Sequence, residues 1–246
     1  MSSTAQPSVV QAARRYWSDI ASSRGRVTAT RELFVSLWEF LRNSTPARLR
    51  QRYGDADYDW DHRVNTTSGA VKWRDRLLGV FHSAYQPTDA AAFHEMLDAL
   101  AALTDLDFRE FTFLDLGSGK GRTLLMASDY PFRRIVGVEL LPALDHIACE
   151  NLHLYRGESQ QCFALDSVCA DATAFPLPEE PLVIYLFNPF PESGLKKVIA
   201  NLEMSLQANP RPAYVLYHNP LLDQVLGGSA RLRKIGGTEQ YSMWEG

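Results

Sequence analysis

Short apolar runs alternate with helical patterns from about residue 88 onward, and this alternation constrains the fold more than any other feature. The runs predict strands over 111–116, 133–140, 163–169, 181–188 and 213–219. Helices are predicted over 89–103, 121–129, 142–155 and 193–206, and a short helix and a hairpin are predicted after the last strand. Because consecutive strands are separated by helices, we predict an α/β protein with a doubly wound, mostly parallel sheet.

Two of these helices carry a clear apolar face. Helix 89–103, with Thr88 as its N-cap, is expected to bury Phe93, Met96, Leu97 and Leu100. Helix 193–206, with Ser193 as its N-cap, is expected to bury Leu195, Val198, Ile199, Leu202 and Leu206.

The first third of the chain does not show this alternation of strand and helix patterns. An apolar stripe predicts a helix over 31–42 that begins at Thr30 as N-cap, and residues 53–76 are expected to form an ordered loop. Tyr53, Tyr58 and Trp60 are expected to pack on the main domain or line its mouth. We therefore predict an N-terminal helical and aromatic cap segment over 1–84 and a main domain over 85–246.

Composition excludes several classes of protein. No apolar run approaches the roughly 18 residues of a membrane span, and the N-terminus does not resemble a secretory signal, so a cytoplasmic protein is expected. Three cysteines without CxxC spacing argue against a disulfide framework or a zinc module. Residues 11–76 carry 13 Lys and Arg against 8 Asp and Glu, which indicates either a basic patch near Arg42, Arg48, Arg50 and Arg52 or a self-compensated surface.

A glycine-rich turn follows the first predicted strand and reads Asp115-Leu-Gly-Ser-Gly-Lys-Gly-Arg122. Glycines at alternate positions allow a tight turn and a close approach of the backbone to a ligand. The spacing fails the G-x-G-x-x-G dinucleotide fingerprint by one residue, and it also lacks the first glycine of a Walker A loop. Lys120 and Arg122 are expected either to steer a carboxylate of the ligand or to lie exposed on the surface.

Acidic residues end the next two predicted strands. Glu139, followed by Leu140, closes the second strand, and Asp171, followed by Ala172, lies just past the third. A carboxylate at the end of the second strand is placed to accept both hydroxyls of a ribose, and Asp171 is placed to accept from an adenine amino group. The loop and the two acids together predict a nucleoside-binding site.

These motifs resemble those of class I S-adenosylmethionine-dependent methyltransferases, through FLDLGSGKGR, VGVEL and CADA. The resemblance covers roughly residues 85–220, extends to a helix before the first strand, and is closest to an uncharacterised bacterial subgroup. It implies a Rossmann-like methyltransferase fold and S-adenosylmethionine as cofactor. The implied cofactor-binding residues are Asp115, Gly117, Ser118, Gly119, Gly121, Glu139, Leu140, Asp171 and Ala172.

The methyl acceptor is predicted less directly. Asn188-Pro189-Phe190, at the end of the fourth predicted strand, resembles with one proline fewer the [DN]-P-P-[YF] motif of methyltransferases that act on amino nitrogens. Asn188 is therefore a candidate catalytic residue, Pro189, Phe190 and Tyr85 are candidate substrate contacts, and His218 is a candidate base. Alternatively, Asn188-Pro189 simply turns the chain out of its strand.

Several functions stay open at this point. We expect the acceptor to be an amine nitrogen of a protein or a small molecule, and nucleic acid is less expected because the main domain is acidic. A small-metabolite O- or C-methyltransferase and a non-catalytic cofactor-binding protein are the alternatives. His146, Cys149 and His153 have helical metal-ligand spacing, but the two histidines lie opposite the apolar face, and no metal site is expected.

Overall fold

The computed structural model describes residues 9–43, 56–66 and 88–246. They belong to two compact units. Residues 9–43 lie in the first unit, and residues 56–66 and 88–246 lie together in the second. In this part of the chain, no helix is long and apolar enough to cross a bilayer.

The first unit contains two helices in contact, α1 (Val9–Arg24) and α2 (Arg26–Asn43). The chain turns between them at Gly25, whose φ of +87° is in the left-handed region that favours glycine. The prediction that α2 begins after Thr30 was wrong, because this one-residue turn lets the helix start at Arg26. Thr30 is inside the helix, where its Oγ1 donates to the carbonyl of Arg26 at 2.9 Å and accepts from Trp17 Nε1 at 3.2 Å.

The second unit is built on a seven-stranded sheet, with strand order β3-β2-β1-β4-β5-β7-β6. The strands are β1 (Thr112–Leu116), β2 (Arg134–Glu139), β3 (Leu165–Cys169), β4 (Leu182–Phe187), β5 (Ala213–His218), β6 (Arg233–Gly237) and β7 (Tyr241–Glu245). The first five are parallel, and β7 runs antiparallel to both of its neighbours. The predicted doubly wound, mostly parallel sheet is confirmed.

Helices cover both faces of this sheet. They are α3 (Ala56–His62), α4 (Ala90–Thr104), α5 (Arg122–Ala127), α6 (Pro142–Leu154), α7 (Glu192–Ala208) and α8 (Asp223–Gly227). Short 3₁₀ turns occupy Phe108–Glu110 and Ala172–Ala174.

The sheet has a separate apolar core on each face. On one face, α4 buries its predicted residues Phe93, Met96, Leu97 and Leu100 against β1, β4 and β5. On the other face, α7 buries its predicted residues Leu195, Val198, Ile199, Leu202 and Leu206 against the same strands. Each fully buried side chain of this size contributes about 1.5–3 kcal/mol, so the two faces together hold the sheet between layers of helices.

Two helix starts differ from the prediction. Asp89 is the N-cap of α4 and accepts from the backbone N–H of Ala92 at 3.0 Å, because the hydroxyl of Thr88 is instead bonded to Tyr185 Oη at 3.1 Å. The N-cap of α7 is Pro191, and Ser193 lies inside the first turn.

The expected loop over 53–76 contains helix α3. Its sequence, rich in Tyr, Trp and Asp, has no amphipathic period, but Tyr58 and His62 lie one turn apart and stack at 4.3 Å. Tyr58 packs against the α4 core, as expected for this aromatic. Tyr53 and the arginines at 48, 50 and 52 lie outside the described residues, and the structure describes no side chain for Arg42 or Trp60.

Candidate functional site

The carboxyl ends of β1, β2, β3, β4 and β5 share one edge of the sheet. Ligands of doubly wound sheets bind at this edge, where the strand order reverses. Here β1 lies between β2 and β4, so the reversal falls between β1 and β4. The glycine loop leaves the first of these strands and the Asn188-Pro189 turn leaves the second.

The glycine loop adopts a conformation that only glycine takes readily. Gly117, Gly119 and Gly121 have φ values of +102°, +56° and +79°. A Cβ on Gly117 would lie 2.5 Å from the Cβ of Pro189, so the loop and the turn after β4 pack without a side chain between them. Gly121 begins α5 and lies against Ala148 of α6.

Asp115 is the fourth residue of β1 and is only 3% exposed. The Thr123 hydroxyl, in the first turn of α5, donates to its carboxylate. Burial raises the pKa of Asp115 to about 7, and the Thr123 hydrogen bond opposes that rise. This carboxyl therefore ties the strand before the loop to the helix after it.

Glu139 also lies beneath the loop. Its Oε2 accepts from the backbone N–H of Gly119 at 2.9 Å, and its Oε1 accepts from that of Leu141 at 2.8 Å. Burial raises the pKa of Glu139, and these backbone N–H groups act against the rise. Leu140 beside it is exposed, whereas Ser118 is buried, and its hydroxyl has no hydrogen-bond partner within the described ranges.

Asp171 lies at the surface, two residues past the end of β3. Its Oδ1 accepts from the backbone N–H of Thr173 at 2.9 Å and from the Thr173 hydroxyl at 2.8 Å. Ala172 is buried in the α7 core. One oxygen of Asp171 thus holds the 3₁₀ turn, and the carboxylate is accessible to a ligand.

Lys120 and Arg122 are buried, not on the surface, and both contact the segment 56–66. Lys120 Nζ donates to Asn65 Oδ1 at 3.0 Å, and the Arg122 guanidinium lies 4.3 Å from the centre of the Tyr58 ring. Burial lowers the pKa of Lys120 to about 8, and Asp59 opposes that change. These contacts have no local sequence signal, because their partners lie more than fifty residues away.

Asn188 forms hydrogen bonds through both ends of its amide. Tyr217 Oη donates to Asn188 Oδ1 at 2.7 Å, and Asn188 Nδ2 donates to the carbonyl of Asn219. Its φ of +44° is left-handed, so it also turns the chain out of β4. Phe190 packs against the α7 core, and Tyr85 lies outside the described residues.

His218 lies on the other face of the sheet from Asn188. Its ring stacks on Phe187 at 4.2 Å, and its Nδ1 lies 2.8 Å from Tyr185 Oη. These partners pack in the α4 core, whereas Tyr217, which bonds Asn188, belongs to the α7 core. Burial lowers the pKa of His218. The structure therefore places both residues at the carboxyl edge but does not direct their side chains to the same face.

His146 and His153 on α6 are exposed. His146 lies 3.4 Å from the carboxylate of Glu150, one turn along the helix. Among the described residues, no group of three or more His, Cys, Asp or Glu side chains is arranged to hold a metal.

The strand order and the edge geometry distinguish this sheet from the usual dinucleotide fold. In that fold the strand order is 3-2-1-4-5-6, whereas here an antiparallel β7 is inserted between β5 and β6. The spacing of the glycines in the loop also differs from the dinucleotide fingerprint, by one residue. The chain has a doubly wound, Rossmann-like fold in which β7 is antiparallel to its neighbours.

Comparison with known proteins gives matches among solved structures. No family model and no curated protein matches this chain. An RNA methyltransferase from Salinibacter ruber, solved with S-adenosyl-L-homocysteine, is 22% identical over 65% of this chain and 92% of its own, with a TM-score of 0.42. A putative methyltransferase from Escherichia coli is 19% identical over 65% of this chain and 87% of its own, with a TM-score of 0.43.

A third similar structure is a ribosomal protein L11 methylase from Lactobacillus delbrueckii subsp. bulgaricus. It is 12% identical over 66% of this chain and 80% of its own, with a TM-score of 0.46.

Proposed function

We propose that this protein is an S-adenosylmethionine-dependent methyltransferase whose acceptor is an amine nitrogen of a protein or a small molecule. The observation that carries the proposal is the carboxyl edge itself. Three left-handed glycines follow β1, the loop is hydrogen-bonded to the acid that ends β2, and a second, accessible acid follows β3.

The residues at this edge fit the cofactor. The loop residues Gly117, Ser118, Gly119 and Gly121, with Asp115 beneath them, would hold its methionine part. Glu139 and Leu140 would hold the ribose, since each Glu139 oxygen accepts one N–H and keeps a second lone pair. Asp171 and Ala172 would hold the adenine, because the Asp171 carboxylate is exposed and already oriented by Thr173.

Bound S-adenosylmethionine supplies a methyl group on a positively charged sulfur that leaves readily. The protein then has to orient the two reactants in line and exclude water, and effective molarity accounts for much of the rate gain. Few polar side chains are required for this task.

The orientation of Asn188 favours an amine as acceptor. Its Nδ2 is fixed on a carbonyl, so its Oδ1 must face Tyr217 Oη and cannot exchange places with the nitrogen. An amide oxygen accepts two hydrogen bonds, and Tyr217 uses only one of them. An incoming N–H group would complete the second.

The first test is calorimetric titration with S-adenosylmethionine, S-adenosylhomocysteine and NAD, followed by transfer of a labelled methyl group to extract fractions. We expect micromolar binding of the first two ligands, no binding of NAD, and label in a protein or small-molecule fraction. Label in RNA, the substrate class of the Salinibacter protein, would overturn the acceptor and keep the reaction. Binding without any transfer would indicate a non-catalytic cofactor-binding protein.

Asn188→Gly tests the acceptor site directly, because glycine keeps the positive φ and removes only the amide. We expect turnover to fall by about tenfold or more, while affinity for S-adenosylhomocysteine changes by less than about twofold. Asn209→Ala is the matched control, since Asn209 also bonds a carbonyl, that of Glu179, but at the opposite end of α7. Lost cofactor affinity with normal turnover would assign Asn188 to the cofactor.

A further inference from the structure

Three buried or half-buried side chains form a hydrogen-bonded chain at the carboxyl edge. Thr88 Oγ1 lies 3.1 Å from Tyr185 Oη, which in turn lies 2.8 Å from His218 Nδ1. Thr88 is 3% exposed and Tyr185 is 1% exposed, so water does not complete their hydrogen bonds. Only His218, the last residue of β5, is partly open to solvent.

The hydrogens available in this hydrogen-bonded chain determine which group donates in each bond. The Thr88 hydroxyl has one described neighbour that can accept its hydrogen, and that neighbour is Tyr185 Oη. If Thr88 donates to Tyr185, the tyrosine hydrogen is directed to His218 Nδ1. The reverse direction leaves the buried Thr88 hydrogen without an acceptor, which costs about 1–3 kcal/mol.

The direction of the chain decides which nitrogen of His218 carries the hydrogen. A neutral imidazole that accepts at Nδ1 has its hydrogen at Nε2 and no lone pair there. Stacking on Phe187, at 4.2 Å and an interplanar angle of 12°, holds the ring plane and therefore the direction of the Nε2–H bond.

We infer that His218 is a hydrogen-bond donor to the methyl acceptor and that Tyr185 is the positioning residue that sets its tautomer. The inference rests on the proposed function and narrows the substrate. The acceptor molecule carries, besides the nitrogen to be methylated, an unprotonated oxygen or ring nitrogen that receives the Nε2–H. Because Asn188 and His218 face opposite sides of the sheet at its shared carboxyl edge, the acceptor extends across the ends of β4 and β5 to reach both. In this arrangement neutral His218 does not act as a base.

The groups around His218 agree with a neutral donor. Asp89 at the start of α4 raises its pKa, but burial lowers it by more. The other titratable neighbours of His218 are Tyr185 on β4 and Tyr241 on β7, and Tyr241 is the register partner of His218. Burial raises the pKa of both tyrosine hydroxyls. All three rings are therefore uncharged near neutral pH.

The tautomer can be measured without any substrate. We would record ¹⁵N spectra of the histidine rings in the full chain and assign His218 by its loss in His218→Gln. We expect the Nε2–H tautomer in the native protein and a mixture of tautomers in Tyr185→Phe. Tyr214→Phe is the matched control, because Tyr214 is also a buried tyrosine of this sheet but packs on Phe111. An Nδ1–H tautomer in the native protein would overturn the inference.

Kinetics of two variants then separate a donor from a base. The side-chain N–H of glutamine replaces the Nε2–H donor, so we expect His218→Gln to keep kcat/KM within about fivefold, and His218→Ala to raise KM about tenfold. A catalytic base predicts a loss of roughly 10²–10⁴ in kcat for both variants. Equal losses of that size would therefore contradict the donor role.

The pH profile gives a further readout. A donor stays a donor when His218 is protonated, so the acid limb of the pH profile is expected to come from the acceptor amine alone and to be the same in the native protein and in His218→Gln. A base would add an acid limb in the native protein that His218→Gln lacks. Failure of the proposed function is seen separately, as an absence of S-adenosylhomocysteine binding in the native chain, while the tautomer experiment is unaffected by it.

Discussion

Gly117 shows how closely the site depends on a single missing Cβ. Replacing it with Ala would place a methyl group against Pro189 and force an L-residue to a φ of +102°, so the loop and the turn after β4 would separate. We expect Gly117→Ala to abolish measurable S-adenosylmethionine binding in calorimetry.

Gly25→Ala is the control for the backbone term alone. Gly25 has a φ of +87°, but no atom of the described residues lies within 4 Å of its missing Cβ, so that variant should lose about 1 kcal/mol of stability and keep cofactor binding. Equal effects of the two variants on binding would mean that the contact with Pro189 is unimportant.

Asp171 orients the turn at Thr173, and we propose that it also binds adenine; a pair of variants separates the two roles. Asp171→Asn keeps an oxygen for the N–H of Thr173 and removes only the charge, whereas Asp171→Ala removes both. We expect each to weaken S-adenosylmethionine binding by about 1.5–3 kcal/mol, the value of a charged hydrogen bond. Only the Ala variant should also lower Tm. Unchanged affinity in both would refute the adenine assignment.

At the scale of elements, the segment 56–66 is attached to the glycine loop through Asn151 of α6. Asn151 Oδ1 accepts from the N–H of Asn65 at 2.8 Å, and its Nδ2 donates to the carbonyls of Asn65 and Lys120 at 3.0 and 2.9 Å. His62 adds a stacked contact with Tyr155, 5.5 Å between ring centres. One side chain thus joins three parts of the chain.

Asn151→Ala should release this attachment. The groups left unpaired cost about 1–3 kcal/mol each when buried, so we expect hydrogen exchange over 56–66 to accelerate by at least tenfold. Hydrogen exchange near Lys120 should accelerate as well. Asn201→Ala, which removes a single bond to the carbonyl of Phe175 on the other face, should leave exchange over 56–66 unchanged. If both variants behave alike, Asn151 does not hold the segment.

The elements themselves were largely predictable because their signals are local. The apolar faces of α4 and α7 follow from a period of 3.6 residues, and the five parallel strands follow from short apolar runs. Helix α3 is not predicted because its seven residues carry no apolar stripe. The predicted N-cap of α4 is one residue too early because the Thr88 hydroxyl is hydrogen-bonded to Tyr185 instead.

The site was only partly predictable, because many of its contacts join residues that are far apart in sequence. Local motifs placed the glycine loop, Glu139 and Asp171 at one edge, and their roles in binding stay predictions. The bonds of Lys120 to Asn65 and of Asn188 to Tyr217 could not be predicted, because each joins residues far apart in sequence. Opposite orientations of Asn188 and His218 depend on strand register, which a motif does not specify.

At the scale of the whole molecule, the candidate site contains buried ionisable carboxyl groups. The free energy of unfolding should therefore depend on pH. Asp115 and Glu139 are both buried under the loop, and burial raises the pKa of each above that of an exposed carboxyl. A carboxyl with a raised pKa in the folded state binds its proton more tightly when folded. The folded state therefore loses stability relative to the unfolded state as pH rises from about 4 to the folded pKa.

Asp115→Asn isolates this term, because asparagine keeps an oxygen for the Thr123 hydroxyl and cannot ionise. With a folded pKa of about 7 for Asp115, the native protein should lose about 3–4 kcal/mol relative to the variant as pH rises from about 4 to about 7. Above about pH 8 the difference should be constant. Urea unfolding of both proteins at several pH values measures it, and parallel curves from pH 4 to pH 8 would show that Asp115 is already ionised in the folded protein at acidic pH. In that case the carboxylate is stabilised by its contacts with the loop, and the loop geometry, with Thr123 as donor, would be the dominant influence on this group.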